Sequence, residues 1–348
     1  LNKDKTLSFK ANSDAFIVKG LIALILKVFN NKSPSDILST DLDFLKTIGL
    51  DQHLSVTRKN GLSSMIDRIK SEAKKISNWG NNLLGKILNI TSLQNPIIKD
   101  LTKIIRSNNQ KEKKSFICEG NFFLKSAFEN KWEIQTLVIN SNISFSTEIT
   151  KIINDCILKN VKVISVDKKI LSKLSNNNNA QNIIFKVKKK TFLFSELNIN
   201  DVHVAIEGIA DPGNLGTILR TINAFGINNL ILVGDTVNQF KKEVVRSSMA
   251  SLFNLKIINT NFINFKNWVN KNSIKLYGTD LRSENNYLNE NWKFPLCLVL
   301  GNEKNGISEE IKSLCNKLIF IKTKNNESLN LSVANGIILS EIFRKYPK

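Results

Sequence analysis

The run DPGNLGTILRTINAFG at residues 211–226 has the pattern of a tight turn followed by a helix. It follows an apolar segment, residues 204–206, that is typical of a buried strand. Asp, Pro, Gly and Asn favour a bend, and the apolar residues after them recur at helical spacing. Gly226 suits the position just past a helix C-terminus. The pattern predicts a strand, a turn and a helix, with Asn214 and Arg220 near the same edge of a sheet.

Two later stretches also combine a short strand with a polar loop. LVLGNEKNGIS at 298–308 predicts a strand that runs into a loop bounded by glycines. IFI at 319–321 predicts another strand, and ESLNLSVA at 327–334 opens a C-terminal helix. Alternating strands and helices indicate an α/β domain. Its predicted strands lie near 203–207, 230–233, 297–300 and 318–321.

These three stretches, in this order, resemble the three signature motifs of the SpoU (TrmH-like) family of RNA ribose 2′-O-methyltransferases. Three spaced motifs, each with its polar residues in place, are much more specific than one glycine loop. The resemblance implies a SPOUT α/β trefoil-knot methyltransferase domain at residues 196–348. It also implies S-adenosylmethionine as the cofactor, RNA, with ribosomal RNA as the expected class, as the substrate, and a homodimer whose sites lie at the subunit interface.

The same resemblance implies roles for individual residues. Backbone groups in the loops of the second and third motifs would hold the cofactor, at Gly301, Ile321 and Leu329. The polar active-site positions are Asn214, Arg220, Glu303, Ser328 and Asn330. Arg220 is the residue expected to activate or orient the ribose hydroxyl. Because a guanidinium keeps its proton at neutral pH, binding of the adjacent phosphate is an open alternative role.

The motifs depart from the family pattern at three places. Lys322 and Thr323 stand where Pro-Met is usual after the third-motif strand, and the loop that follows has Asn325 and Asn326 instead of a glycine. Ala250 stands where glycine is common. An RNA-binding protein with impaired catalysis is therefore an alternative to an active enzyme.

The middle of the chain carries a concentrated positive charge. Of the formal net charge of +20, half lies in residues 79–200, which hold 19 basic and 9 acidic residues. Such a surplus fits a polyanion partner, although a solvated face is the alternative for any single lysine. Arg246 resembles a further RNA-contacting arginine of the family. The predicted RNA-binding residues are Arg246, Lys99, Arg106, Lys111, Lys113 and Lys114.

Residues 91–195 resemble the L30e-like α/β substrate-binding domain that precedes the SpoU domain in this family. The resemblance rests on TSLQNPIIK at 91–99 and KEKKSFICEG at 111–120. Strands and helices alternate from residue 115 to residue 185, which predicts a parallel sheet with helices on its faces. Residues 79–90 are predicted to be a linker.

Residues 1–78 read as mainly helical, with Ser33 as an N-cap and Pro34 at the first position of a short helix. SDAFIVKGL at 13–21, GLDQHL at 49–54 and RKNGL at 58–62 resemble the C-terminal half of SufE, the sulfur acceptor for cysteine desulfurase. SufE proteins act through a persulfide on a cysteine of their other half. We therefore expect a partial SufE-like segment, and a sulfur-transfer adaptor for a desulfurase is the alternative.

The cysteines and histidines show no metal-binding spacing. The four cysteines, Cys118, Cys156, Cys297 and Cys315, are far apart and predict reduced structural thiols, and His53 and His203 also read as structural. No apolar run reaches the length of a membrane span, and no secretory signal is visible. These features predict a cytoplasmic protein without a metal site or a membrane segment.

Overall fold

A computed structural model describes residues 6–41, 54–84, 86–106, 113–175, 180–324 and 328–346, with side chains omitted from 75 to 84. The predicted roles of Lys111, His53 and the Asn325–Asn326 loop lie outside these residues. The chain divides into two compact units, residues 1–89 with 143–165, and residues 90–142 with 166–348.

The helices of the described chain alternate with strands from residue 88 onward. The helices are α1 (Phe16–Phe29), α2 (Pro34–Ser39), α3 (Val56–Leu84), α4 (Pro96–Arg106), α5 (Asn121–Glu129), α6 (Thr147–Leu158), α7 (Lys168–Ser175), α8 (Pro212–Ala224), α9 (Lys242–Ser247), α10 (Phe262–Lys271), α11 (Glu309–Leu314) and α12 (Leu331–Lys345). None of the helices that the structure describes is both long and apolar enough to cross a bilayer.

Eleven strands are described. They are β1 (Leu88–Asn89), β2 (Ser115–Glu119), β3 (Ile134–Asn140), β4 (Lys162–Val166), β5 (Ile183–Lys188), β6 (His203–Glu207), β7 (Asn229–Val233), β8 (Lys256–Thr260), β9 (Lys275–Thr279), β10 (Leu296–Leu300) and β11 (Lys317–Ile319).

In the first unit, α1, α2 and α3 enclose a small apolar core. Phe29, Ile37 and Ala73 are buried in it because each helix turns its apolar residues to the same side. The Ser33 side chain accepts the Asp36 N–H at the start of α2, and Pro34 is the first helical residue. The predicted cap is therefore confirmed, and the predicted mainly helical character of this segment agrees with the described elements.

In the second unit, the strands of the middle segment do not all run in the same direction. β5 pairs antiparallel with both β2 and β3. The predicted parallel sheet is therefore wrong for these strands. Alternation of strands and helices does not fix strand direction. A strand is parallel or antiparallel to its neighbour according to the end of the sheet at which the chain enters.

The second unit also contains a six-stranded parallel sheet in the order β11-β9-β10-β6-β7-β8. All four strands predicted for this region are present. Two others, β8 and β9, were not predicted because each mixes polar with apolar residues. The central strands β7 and β10 are buried along their whole length, as expected for a parallel sheet covered on both faces.

An aromatic cluster joins the β2–β3 part of this unit to the six-stranded sheet. Phe116 lies 4.7 Å from Phe240 between ring centroids, and Trp132 meets Phe253 edge to face at 5.3 Å. The Trp132 Nε1–H donates to the Phe253 carbonyl oxygen at 2.9 Å. The Lys190 ammonium lies 5.0 Å from the Trp132 ring centroid, and burial lowers its pKa.

Replacing Trp132 tests the contribution of its indole hydrogen bond to this aromatic cluster. Trp132→Phe keeps an aromatic ring but leaves the buried Phe253 carbonyl without its donor, so we expect a loss of about 1–3 kcal/mol in the free energy of unfolding. Urea denaturation measures the loss. The control is Phe122→Leu, at an exposed aromatic residue, where the change should stay within about 0.5 kcal/mol. Equal stability of Trp132→Phe and the unmodified protein would contradict the assigned role.

Candidate active site

A cavity of about 560 Å³ lies at the carboxyl ends of β9, β10 and β11 and at the start of α8. Ligands of open parallel sheets bind at this edge, because the loops that leave the strands converge there. The lining includes Asn214, residues 279–282, residues 301–307, residues 319–321 and residues 328–331. All three stretches singled out in the sequence therefore contribute to one cavity.

The first wall is the start of α8. The Asp211 side chain accepts the Asn214 N–H at 2.6 Å, and Pro212 is the first helical residue. This cap makes the DPGN run a helix start rather than a separate turn. The helix ends just before Gly226, whose φ of +69° confirms the predicted terminating glycine.

The second wall is the loop after β10, where the backbone folds back on itself. Asn302 and Gly306 exchange two backbone hydrogen bonds of 2.9 Å. A Cβ atom on Gly301 would lie 2.1 Å from the Gly306 carbonyl carbon, so only glycine fits. The Asn302 Nδ2 group donates to the Gly208 carbonyl oxygen at 2.6 Å, which ties this loop to the chain after β6.

A chain of hydrogen bonds connects the polar residues of the cavity. The Asn214 Nδ2 group donates to Glu303 Oε1 at 3.1 Å, and the Asn330 Nδ2 group donates to Asn214 Oδ1 at 2.8 Å. Asn330 Oδ1 in turn accepts the N–H groups of Ser332 and Val333, so Asn330 is the N-cap of α12. Three residues that are far apart in the sequence therefore hold one another in place.

The remaining predicted cofactor and active-site residues divide into two groups. Gly301, Ile321, Ser328 and Leu329 line the cavity, and so does Thr323 from the segment that departs from the family pattern. Arg220 does not line it. A helix advances 100° per residue, so Arg220 lies about 120° around α8 from Asn214. It is exposed, and within the described part of the chain its guanidinium has no hydrogen-bond or ion-pair partner.

The predicted RNA-binding residues that are described lie outside this cavity. Lys99 and Arg106 are exposed on α4, and Lys114 is exposed just before β2. The Lys113 ammonium donates to the Lys103 carbonyl oxygen at 2.7 Å. Arg246 is exposed near the end of α9.

Four charged residues of the cavity are absent from the predicted site, namely Asp280, Arg282, Lys304 and Lys312. Asp280 follows the unpredicted strand β9 and forms a 2.9 Å ion pair with Lys312. Burial alone would raise the pKa of Asp280, but the Arg282 N–H and the Lys312 ammonium together hold that pKa below its usual value. Recognition of β9 as a strand would have placed Asp280 and Arg282 at the carboxyl edge of the sheet.

The thiols are unsuited to nucleophilic chemistry. Burial raises the pKa of Cys118 and Cys297 well above the usual value, that of Cys156 to about 11 and that of Cys315 to about 12. The thiolate is the reactive form, and it is scarce at neutral pH when the pKa is this high. The four cysteines therefore read as protonated structural residues, and His203 is also structural, since it is buried and bonded to Asn229.

Family models match three parts of the chain in succession. The SpoU rRNA Methylase family model matches residues 201–340, which contain the cavity's three motifs. Residues 201–340 are a SpoU methylase domain. Ahead of the SpoU domain, an Fe-S metabolism associated domain (SufE) matches residues 1–73, and the MRM3-like substrate binding domain matches residues 95–184. The predicted family resemblances are thereby confirmed.

Known proteins resemble the SpoU domain and its flanking parts. A solved structure of AdoMet-bound rRNA methyltransferase from Sinorhizobium meliloti has 29% identity and a TM-score of 0.70, and the match covers 76% of this chain and all of that chain. The 23S rRNA (guanosine-2′-O-)-methyltransferase RlmB of Blochmanniella floridana is 33% identical over 44% of this chain and 61% of its own length. These likenesses confirm the predicted α/β fold class.

The N-terminal segment has its own relative. A SufE-like protein of Rhizobium meliloti is 52% identical over 73 residues, which are 21% of this chain and 52% of that protein. The chain therefore spans about half the length of this relative.

The backbone closure after β10 can be tested in the SpoU domain. Gly301→Ala forces the loop away from Gly306, and we expect it to lower the free energy of unfolding by about 1–3 kcal/mol. Gly336→Ala is the matched control on α12, because its added Cβ would meet only Thr221, at 3.8 Å. The control should be neutral or stabilising by up to about 1 kcal/mol. Urea denaturation of both variants measures the two changes. An unchanged free energy of unfolding in Gly301→Ala would refute the close approach.

Proposed function

We propose that the protein is an S-adenosylmethionine-dependent RNA ribose 2′-O-methyltransferase that acts on ribosomal RNA. The observation that carries the proposal is the hydrogen-bonded set of Asn214, Glu303 and Asn330 in the wall of the cavity. These are three of the five polar positions expected from the SpoU resemblance. The names of the RlmB relative and of the Sinorhizobium meliloti structure support ribosomal RNA as the substrate class.

The cavity fits the cofactor. Its volume of about 560 Å³ lies in the usual range for small-molecule sites, roughly 300–1,000 Å³. Gly301 brings bare backbone to the cavity wall, and Ile321 and Leu329 add further backbone from two other loops. Arg282 lines the cavity and offers a cation for the carboxyl group of a bound amino acid. When bound, S-adenosylmethionine supplies a methyl group on a positively charged sulfur.

The polar residues would orient the ribose. Asn214 is hydrogen-bonded to Glu303 on one side and to Asn330 on the other. Its amide group is therefore already oriented and loses little conformational entropy when the substrate binds. Ser328, exposed on the same wall, adds a hydroxyl that both donates and accepts. The ribose 2′-hydroxyl loses its proton as its oxygen takes the methyl group, and the Glu303 carboxylate is an acceptor within this set.

Arg220 would act on the cavity of a second copy. Its guanidinium is exposed and lies around α8 from the residues of its own cavity. In a homodimer with sites at the interface, it could reach the ribose hydroxyl or the adjacent phosphate of the partner's substrate. A guanidinium keeps its charge in proteins, so binding and orientation suit it better than proton abstraction.

The basic residues ahead of the SpoU domain would bind phosphates. Lys99 and Arg106 lie seven residues apart on α4, a spacing that puts both on one helix face. Contacts of this kind add affinity and position the RNA without reading its sequence. We assign the substrate-binding domain to residues 91–195 and the methyltransferase domain to 196–348. An RNA substrate and protonated thiols favour the cytoplasm as the place of action.

Methyl transfer from labelled S-adenosylmethionine into ribosomal RNA tests the proposal. We expect incorporation at a ribose, and Arg220→Ala should lower it about 100-fold through the loss of substrate orientation. Lys266→Ala removes an exposed cation from α10 of the same domain and should leave the rate unchanged. Calorimetric titration with the cofactor should show binding to all three proteins. Absence of both incorporation and cofactor binding would refute the proposal.

Mixing two inactive variants tests whether Arg220 acts across a dimer. In the proposed dimer, each site takes Arg220 from one subunit and the loop with Gly301 from the other. A mixed dimer of Arg220→Ala and Gly301→Ala would therefore contain one site in which both parts are intact. Random exchange restores about a quarter of the sites. Activity that stays absent after subunit exchange would place Arg220 and the cofactor loop in the same chain's site.

A further inference from the structure

A second cavity, of about 510 Å³, lies elsewhere in the second unit and shares no lining residue with the first. The end of β2 and the start of α5 form one side of it, and α9 forms another. Its floor is apolar, with Cys118, Leu174 and Ile184 buried. The methyl-transfer reaction makes no use of this space.

The mouth of the second cavity carries two exposed apolar side chains. Phe122 is 58% exposed and Met249 is 48% exposed. Phe122 meets Phe123 edge to face, with 6.1 Å between the ring centroids and 87° between the ring planes. An exposed aromatic ring offers a face for stacking.

The turn that carries Met249 is strained. Met249 and Ala250 have φ angles of +46° and +64°, in the left-handed region that side chains disfavour by about 1–2 kcal/mol per residue. The Ser126 hydroxyl on α5 donates to the Ala250 carbonyl oxygen at 3.4 Å and bridges the turn to the opposite wall. Strain of this kind collects at ligand clamps, where the surrounding structure enforces it.

The polar groups of the cavity are a carboxylate inside and cations at the rim. Glu119 Oε1 accepts the Gln181 N–H and the Ser175 hydroxyl, each at 2.7 Å, whereas Oε2, among the described residues, accepts only the Ser175 hydroxyl, at 2.9 Å. A carboxylate has about four acceptor positions, so Glu119 keeps capacity for a ligand. Arg246 and Lys242 lie at the α9 side, and the Lys242 ammonium donates to the Ser175 carbonyl oxygen.

We propose that this cavity binds an extruded guanine of the RNA, from a nucleotide other than the one that is methylated. The proposal rests on the proposed function for its substrate class. Unpaired RNA bases are recognised by stacking on aromatic rings and by hydrogen bonds to their Watson–Crick edge. Guanine presents two neighbouring N–H donors on that edge, and a carboxylate can accept both, whereas the other three bases present an acceptor beside each donor.

Helix α8, which begins at the first cavity, packs against helix α9, which lines the second. The Ser247 hydroxyl, next to Arg246, lies 3.4 Å from the Pro212 carbonyl oxygen at the start of α8. Gly216 makes this contact possible, since a Cβ there would meet the Ser247 side chain and the Val244 carbonyl oxygen. We therefore expect an RNA strand with its guanine in the second cavity to pass Arg246 toward the start of α8, where Asn214 lies.

Four RNA heptamers test the proposal: UUUGUUU, UUUAUUU, UUUCUUU and UUUUUUU, each with a fluorescent label, titrated at fixed salt without cofactor. We expect UUUGUUU to bind about tenfold more tightly than the others. Glu119→Gln should remove the preference, so that the four dissociation constants become equal. Phe122→Ala should weaken binding of UUUGUUU about tenfold. Glu129→Gln, on the exposed end of α5, is the control and should keep the ratio.

Equal binding of the four heptamers, or a guanine preference that survives Glu119→Gln and Phe122→Ala, would overturn the proposal. Phe122 is exposed, so its variant remains informative if Glu119→Gln misfolds. The heptamer titration requires no cofactor and the calorimetric titration requires no RNA. Failure of the guanine site is therefore distinguishable from failure of the methyltransferase assignment.

Discussion

The close approach of the chain at Gly301 is the constraint on which the first cavity depends. Because the backbone at Gly301 touches Gly306 and Ile307, the loop after β10 turns back at once and carries Glu303 toward α8. Asn302 fastens the loop to Gly208, and the Ser308 N–H donates to the Glu207 carboxylate at the end of β6. The ends of β6 and β10 and the start of α8 are thereby held together, and a side chain at Gly301 would separate them.

The sequence allowed prediction of the residues that meet in this cavity, because their motifs carry strong local signals. Asn214, Glu303 and Asn330 each follow a strand or begin a helix, and parallel strands bring such positions to one edge. The position of Arg220 was less predictable, since residues close in sequence can lie on different faces of a helix. Under the proposed dimer, its role would depend on a second copy of the chain.

Strand β9 shows why part of the fold was missed. Its sequence KLYGT contains a glycine, which usually argues against a strand interior. In the structure, a Cβ on Gly278 would lie 2.7 Å from Ile307 Cδ1 and 2.8 Å from Cys315 Sγ, so the glycine admits α11 and its flanking residues to the sheet. The direction of β5 was missed for a different reason, because it depends on long-range pairing with β2 and β3.

The indole hydrogen bond between Trp132 and Phe253 has a consequence for any RNA that occupies both cavities. The β2–β3 part and the six-stranded sheet meet through tightly packed rings, so the protein offers the two cavities at a set separation. The distance between the two cavities is therefore fixed by the protein, and an RNA that occupies both must adapt its own conformation. RNA loops and bulges, whose bases are already unstacked, need the least deformation free energy to do so. Selection among RNAs would then depend on how readily each one bends.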